Sequence, residues 1–202
     1  YTYTPTSGYS DGDQFYAVAN NTSGTSQNSN TITVDATAPS APAIAANTDG
    51  ASVTGTAEAG STVTLSLNNG GTTTTVDVIA SANGTWEYVP VPTLADGVTI
   101  TATATDAVGN TSSSSSTVTV DAQAPTNTAT YTNASGDALS DGTTVEGTTE
   151  PGATVTVTMP NGDEYTTTAD ATTGAYSVTV SGTSTSDGDE LIVSIEDAAG
   201  NT

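Results

Sequence analysis

Residues 53–60 read Val-Thr-Gly-Thr-Ala-Glu-Ala-Gly, and residues 145–152 read Val-Glu-Gly-Thr-Thr-Glu-Pro-Gly. Further along the chain, Asp-Ala-Val-Gly-Asn at 106–110 is matched by Asp-Ala-Ala-Gly-Asn at 197–201. The two matches are separated by 92 and 91 residues, since 145 − 53 = 92 and 197 − 106 = 91. Recurrence at a nearly constant spacing indicates tandem copies of one structural unit.

A partial copy precedes these two, because Thr-Val-Asp-Ala occurs at both 33–36 and 119–122. We therefore predict three segments: the C-terminal part of a first repeat at 1–35, a complete repeat at 36–121, and a repeat at 122–202 that lacks its last strand. The chain begins without Met and without a signal peptide, so it is expected to be an internal piece of a longer protein.

Apolar and polar residues alternate in short runs throughout the complete copy. In 62–67, for example, Val63, Leu65 and Leu67 fall on one face, as expected for a half-buried strand. Turn signals such as Asn83-Gly84 separate the runs. Seven strands, named A to G in chain order, are predicted at about 42–46, 52–57, 61–68, 73–80, 85–90, 97–105 and 115–120. This pattern predicts an all-β fold of tandem seven-stranded immunoglobulin-like Greek-key β-sandwiches. Tyr1 to Pro5 align with 86–90 and predict a further strand at the start of the chain.

The charge composition excludes several function classes. The 202 residues include no Lys, Arg, His or Cys, and 22 Asp and Glu give a net charge of −22. Nucleic-acid binding and attraction to anionic lipid both need basic residues, so neither is expected. No stretch approaches about 18 consecutive apolar residues, so no membrane-spanning helix is predicted.

Carboxylates concentrate at the predicted junctions between copies. In the Greek-key topology, the linker that leaves one copy meets the loops at the top of the next copy. The first junction is predicted to bring together Asp35, Glu58, Asp106 and Asn110. The second is predicted to bring together Asp121, Glu150, Asp197 and Asn201. Asp11 and Asp96, from the loop before strand F of the preceding copy, are expected to join these two sets.

The donor atoms in these sets are all oxygen, and the chain supplies no cation to balance their charge. Ca²⁺ takes six to eight oxygen ligands, including carboxylates and amide carbonyls, so we predict Ca²⁺ at the junctions. The alternative is that these residues only cap turns, as Asp and Asn often do. Each linker also ends in proline, at Pro39 and Pro125, which restrains its backbone.

The set of motifs V-x-G-T-x-E-x-G, G-x-W/Y, D-G, D-A-x-G-N and T-V-D-A-x-A-P resembles the bacterial Ig-like repeats of giant biofilm-associated and repeats-in-toxin-type surface adhesins. The resemblance implies an extended cell-surface stalk that is secreted and carries Ca²⁺ between repeats. In that family one aspartate precedes the linker and another begins the D-A-x-G-N loop. The first matches Asp35 and Asp121 here, and the second matches Asp106 and Asp197. The first copy departs from the pattern, because residues 20–24 read Asn-Asn-Thr-Ser-Gly where D-A-x-G-N is expected.

We therefore predict stalk repeats of a large secreted bacterial adhesin or biofilm matrix protein, whose partners are neighbouring repeats of the same protein. An enzyme is not expected, because the chain offers no His, Cys or Lys for nucleophilic catalysis. Two alternatives remain open: a subunit of a repetitive extracellular fibre, and a glycan-binding module. Trp86 and Tyr176 recur at equivalent places, which favours a core position for both. Clustering of Tyr9, Tyr131 and Tyr165 on one face would favour glycan binding.

Overall fold

The computed structural model describes residues 8–45, 48–132, 143–180 and 190–202. Within these ranges all regular structure is β, and no helix is long and apolar enough to cross a membrane. The strand predicted for Tyr1 to Pro5 lies outside the described residues.

The strands are described below in the order of the three predicted segments. The partial first copy contains β1 (Gln14–Phe15), β2 (Asn20–Asn21), β3 (Gly24–Thr25) and β4 (Ile32–Thr33). The complete copy contains β5 (Ala43–Ile44), β6 (Val53–Thr56), β7 (Thr62–Asn69), β8 (Thr72–Ile79), β9 (Thr85–Tyr88), β10 (Thr99–Thr105) and β11 (Val118–Thr119). The third copy contains β12 (Thr130–Thr132), β13 (Thr144–Thr148), β14 (Thr154–Thr158), β15 (Glu164–Thr168), β16 (Ala175–Thr179) and β17 (Ile192–Glu196). Each of the seven strands predicted for the complete copy is therefore confirmed in position.

The strand order is that of an immunoglobulin-like sandwich. In the complete copy one sheet has the order β5-β6-β9 and the other β11-β10-β7-β8. The third copy repeats the arrangement, with sheets β12-β13-β16 and β15-β14-β17. Its central strand β14 pairs with both neighbours, so that Val155 lies opposite Thr167 in β15 and Ile195 in β17. The predicted all-β sandwich fold is confirmed.

Contacts between Cα atoms divide the chain into two units. The first comprises Tyr1–Ile44, Thr54–Tyr88 and Ile100–Thr117, and the second comprises Ala45–Val53, Val89–Thr99 and Val118–Thr202. Each unit contains the whole of one linker with the loops that contact it.

The apolar residues at every second position of the strands form the interior of the first unit, as predicted. Val63 and Leu65 are fully buried and Leu67 is nearly so, while the threonines and serines between them are half-buried. Strand β10 repeats the pattern with Ile100, and Trp86 of β9 is also buried. Burying a Val, Leu or Ile side chain stabilises by about 1.5–3 kcal/mol, so these positions dominate the folding free energy.

The second unit has its own apolar cluster around β14. Its members are Val145, Ala153, Val155, Val157, Met159, Ala169, Tyr176, Val178, Val180 and Ile195. Tyr165, Leu191 and Val193 pack against this cluster and are partly buried. The predicted core positions of Tyr176 here and of Trp86 in the first unit are thus confirmed.

Strand G is less regular than predicted, because serines interrupt its pairing with strand F. The main-chain N–H of Ser112 donates to Ala104 while its hydroxyl accepts from the N–H of Ala104. Ser115 makes the same two bonds with Ala102. Between these pairs strand G has two residues, 113 and 114, and strand F has only one, residue 103, so strand G carries one extra, bulged residue. Regular pairing is therefore limited to Val118–Thr119 in β11, and not to the predicted 115–120.

Candidate metal centre

The first linker is held by hydrogen bonds from both sides. The side-chain amide nitrogen of Asn110 lies 3.1 Å from the backbone carbonyl oxygen of Asp35, to which it donates. The next residue, Ala36, donates its N–H to Oδ1 of Asp11 at 3.1 Å. The N–H of Thr37 donates to Oδ1 of Asp35 at 3.2 Å, which forms a turn within the linker.

The second linker repeats these three bonds. Asn201 donates from its side-chain amide to the carbonyl oxygen of Asp121 at 2.9 Å. Ala122 donates to Oδ1 of Asp96 at 3.2 Å, and Gln123 donates to Oδ1 of Asp121 at 3.3 Å. The repetition shows that Asp11 and Asp96 accept hydrogen bonds from linker amides, and that both Asn side chains contact the linker through their nitrogen.

The D-A-x-G-N loop positions its asparagine through its own aspartate. In the complete copy Oδ1 of Asp106 accepts from the main-chain N–H groups of Val108, Gly109 and Asn110, and Oδ2 accepts from the Asn110 side chain at 2.7 Å. Desolvation alone would raise the pKa of Asp106, but these hydrogen bonds stabilise the carboxylate and hold the pKa below its ordinary value. The aspartate is therefore ionised at neutral pH and orients the asparagine.

Asp197 has the same role in the third copy. Its Oδ1 accepts from the N–H groups of Ala199 and Asn201, and its Oδ2 accepts from the Asn201 side chain at 2.8 Å. Burial opposes ionisation of this side chain, yet the bonds from Asn201 and the loop amides lower the pKa of Asp197. The third copy thus holds an ionised carboxylate in a buried position.

Three carboxylates of the second junction lie together. One oxygen each of Asp121, Glu150 and Asp197 falls within 4.8 Å of the other two. Desolvation, followed by the charges of Asp121 and Asp197, raises the pKa of Glu150. Like charges about 4 Å apart repel by about 4 kcal/mol per pair at an effective dielectric constant of 20. A cation bound among the three carboxylates would relieve this repulsion.

A buried hydroxyl group belongs to the residue before Glu150. Oγ1 of Thr149 is buried and has no hydrogen-bond partner among the described residues. Thr149 lines an open depression of about 420 Å³ together with Asp121 and Glu150. A buried hydroxyl group without a partner costs free energy, which a ligand within reach of Oγ1 would offset. Hydroxyl and carboxylate oxygens suit a hard cation such as Ca²⁺, and the residues present therefore fit the predicted ion.

The first junction differs in this respect. Across the described ranges, no other group of three acidic side chains brings its oxygens as close together, so Asp35, Glu58 and Asp106 do not form an equivalent cluster. The position equivalent to Thr149 is Ala57, which offers no side-chain oxygen. Sequence reasoning did not identify Thr149, although the Ala-to-Thr difference between the aligned copies was available as a signal.

The tyrosines considered as a glycan platform have other contacts. Tyr9 packs edge-on against Phe15, with ring centroids 4.3 Å apart. Tyr165 packs against the apolar cluster of the second unit. The side chain of Tyr131 lies outside what the structure describes. Tyr9 and Tyr165 are thus both engaged in packing.

Three solved structures that match this chain have TM-scores between 0.31 and 0.42. The tetra-tandem repeat in the extending region of a large adhesion protein is 21% identical, with a TM-score of 0.36, over 90% of this chain and 54% of that one. A 1.5-MDa bacterial ice-binding adhesin is 27% identical, with a TM-score of 0.31, over 91% and 68%. The FN1–FN3 domains of chicken CNTN1 are 13% identical, with a TM-score of 0.42, over 93% and 71%.

This chain spans about half the length of the tetra-tandem repeat structure. No curated protein matches its sequence. The family model described as the bacterial Ig domain matches residues 38–121 and again residues 128–202. These matches account for most of the chain, which therefore belongs to the bacterial Ig domain family.

Proposed function

We propose that this chain is a stretch of stalk repeats from a large bacterial cell-surface adhesin or biofilm matrix protein. The observation that carries the proposal is that both linkers are held by the same three hydrogen bonds. Linkers that are held by the same hydrogen bonds at successive junctions favour a regular array, which is what a spacer requires. The role is structural and extracellular, and it involves no catalysis.

Ca²⁺ is proposed to stiffen the second junction. Asp121 belongs to the linker, whereas Glu150 and Asp197 belong to loops of the third copy. A cation held by all three carboxylates would join the linker to both loops and neutralise their mutual repulsion. Thr149 would supply a further oxygen. The ion would contribute charge and coordination, while hydrogen bonds from the loop amides and Asn201 hold Asp197 in place.

The proposal is tested by thermal unfolding of the full chain in CaCl₂, in chelator, and in NaCl of matched ionic strength. A ligand at 100 times its Kd stabilises the folded state by about 2.7 kcal/mol, so we expect a rise in Tm that NaCl does not reproduce. Absence of a calcium-specific rise would contradict the clamp.

Variants locate the ion. Glu150→Gln should abolish most of the calcium-dependent rise, whereas Glu164→Gln, which removes the same charge from exposed β15, should leave it intact. Thr149→Val should lower the calcium-dependent rise without loss of stability in chelator, because it removes a hydroxyl group that has no partner there. Equal rises in all three variants would place the ion elsewhere.

A further inference from the structure

We propose that the D-A-x-G-N loop is a docking surface for the main chain of the preceding copy's linker, and that this contact sets the junction without metal. The proposal extends the stalk function, but it does not depend on the calcium clamp. Its components are the asparagine of the loop and the aspartate before strand F of the preceding copy. We call this pair of residues the latch: Asn110 with Asp11 at the first junction, and Asn201 with Asp96 at the second.

The two latches are alike although their surroundings differ. The asparagine-to-carbonyl distances are 3.1 and 2.9 Å, and the amide-to-aspartate distances are 3.1 and 3.2 Å. Among the residues that the structure describes, only the second junction has three clustered carboxylates. Because the hydrogen bonds are the same with and without that cluster, their geometry does not require the acidic set.

Each asparagine is also held by its own loop. Its amide nitrogen also donates to Oδ2 of the loop aspartate, at 2.7 Å in Asn110 and 2.8 Å in Asn201. That aspartate is in turn fixed by main-chain N–H groups of its own loop. A preorganised donor loses little entropy on binding, so a single hydrogen bond to the linker contributes more of its interaction energy to affinity.

The atoms that the latch contacts belong to the main chain. They are the carbonyl oxygen of the linker aspartate and the N–H of the following alanine. The next linker residue is Thr37 at one junction and Gln123 at the other, so its side chain can vary without loss of the contact. The docking surface therefore fits the Asp-Ala linker of any preceding copy, and its partner is another repeat of the same family.

The test measures junction order in the absence of metal. The chain has no cysteine, so Thr33→Cys with Thr73→Cys places one spin label on each side of the first junction. The distribution of distances between the two spin labels is recorded by double electron–electron resonance in the presence of chelator. Asn110→Leu removes the donor without a change of charge, and Asn28→Leu, at an exposed site between strands F and G, is the matched control. We expect a narrow distribution in the parent and control, and a broad one in Asn110→Leu.

Asp11 provides a second test that leaves the loop of the complete copy unaltered. Asp11→Ala should broaden the distribution and speed exchange of the Ala36 amide proton by about fivefold, which corresponds to loss of one ordinary hydrogen bond. Asp11→Asn keeps an acceptor oxygen and should restore both values. The charge-matched Asp77→Ala should change neither.

The outcomes separate the latch from the calcium clamp. If the distance distribution of the parent in chelator is already as broad as that of Asn110→Leu, the latch proposal is wrong, whether or not calcium raises Tm. A narrow parent distribution that both latch variants broaden supports it, even if calcium fails to raise Tm. Labels at Thr119→Cys, the equivalent of Thr33, and Thr166→Cys then repeat the measurement at the second junction, where Asn201→Leu should broaden the distribution in chelator.

Discussion

Gly55 and Trp86 are packed so closely that a Cβ atom on Gly55 would lie 2.3 Å from Cζ2 of the indole ring. The same Cβ would lie 2.1 Å from the carbonyl oxygen of Ala43 on the neighbouring strand. In the third copy, a Cβ on Gly147 would lie 2.5 Å from the hydroxyl oxygen of Tyr176. The glycine of the V-x-G-T motif thus makes room for the buried aromatic side chain in both copies.

Gly55→Ala should therefore destabilise the complete copy. Overpacking of a core costs typically 1–3 kcal/mol, and we expect a loss of at least about 3 kcal/mol because one of the clashing atoms belongs to the backbone. Urea unfolding followed by Trp86 fluorescence measures it. Gly8→Ala, where a Cβ would meet no atom within 4 Å, is the control and should be neutral. A loss under about 1 kcal/mol would mean that the aromatic ring can move aside.

Tyr176 should depend on a hydrogen bond that Trp86 lacks. The Tyr176 hydroxyl donates to Oδ1 of Asn127 at 3.1 Å, whereas Nε1 of Trp86 is buried without a partner in the described structure. Tyr176→Phe should cost about 1 kcal/mol in the free energy of unfolding. A double-mutant cycle with Asn127→Ala should show a coupling of about 0.5 kcal/mol or more. Simple additivity of the two losses would exclude a direct interaction.

A serine hydroxyl in strand G should contribute more to stability where it is buried than where it is exposed. Ser112 is buried, and its hydroxyl is the acceptor for the N–H of Ala104, so Ser112→Ala leaves a buried donor without a partner. We expect a loss of about 1–3 kcal/mol, measured by urea unfolding. Ser114→Ala, two residues along in an exposed position, should change stability by less than about 0.5 kcal/mol. Equal effects would show that the hydroxyl bond carries no stability.

Acid should weaken the β15–β16 turn through Asp170. Main-chain and hydroxyl hydrogen bonds from Thr173 and Thr172 lower the pKa of Asp170 from the ordinary 3.8. Because the folded-state pKa lies below the unfolded value, this contribution is present above pH 3.8 and is lost as pH falls through the lower folded-state pKa. The Tm difference between the parent and Asp170→Asn should thus be constant near neutrality and shrink below about pH 4. Glu164→Gln removes the same charge and provides the control curve of Tm against pH. A Tm difference between the parent and Asp170→Asn that persists in acid would contradict the role assigned to Asp170.

Much of the architecture could be predicted from the sequence because its causes are local or repeated. Alternation of apolar and β-branched residues in Thr62–Asn69 determines which face is buried, whatever the neighbouring strands are. Recurrence of Trp86 as Tyr176 identified a core position, since a repeated aromatic marks a structural requirement of the unit. Strand G was less predictable. Its register shifts at Ser112 because the Ser112 hydroxyl, and not a main-chain carbonyl, accepts the N–H of Ala104 in strand F. The alternation of apolar and polar residues does not reveal such a shift.

Which side chains converge at each junction could not be decided without the tertiary structure. The sequence alone determined the fold, the repeat spacing, the absence of any basic group and the accumulation of oxygen ligands near the linkers. It placed Asp35 with Asn110 and Asp121 with Asn201, but it could not separate ligands from hydrogen-bond partners, since Asp and Asn serve as both. Only the folded chain decided that Asp121, Glu150 and Asp197 converge while Asp35, Glu58 and Asp106 do not. The physical reason is that carboxylate separations of a few ångströms depend on loop and side-chain orientation, which residues far apart in the chain establish together.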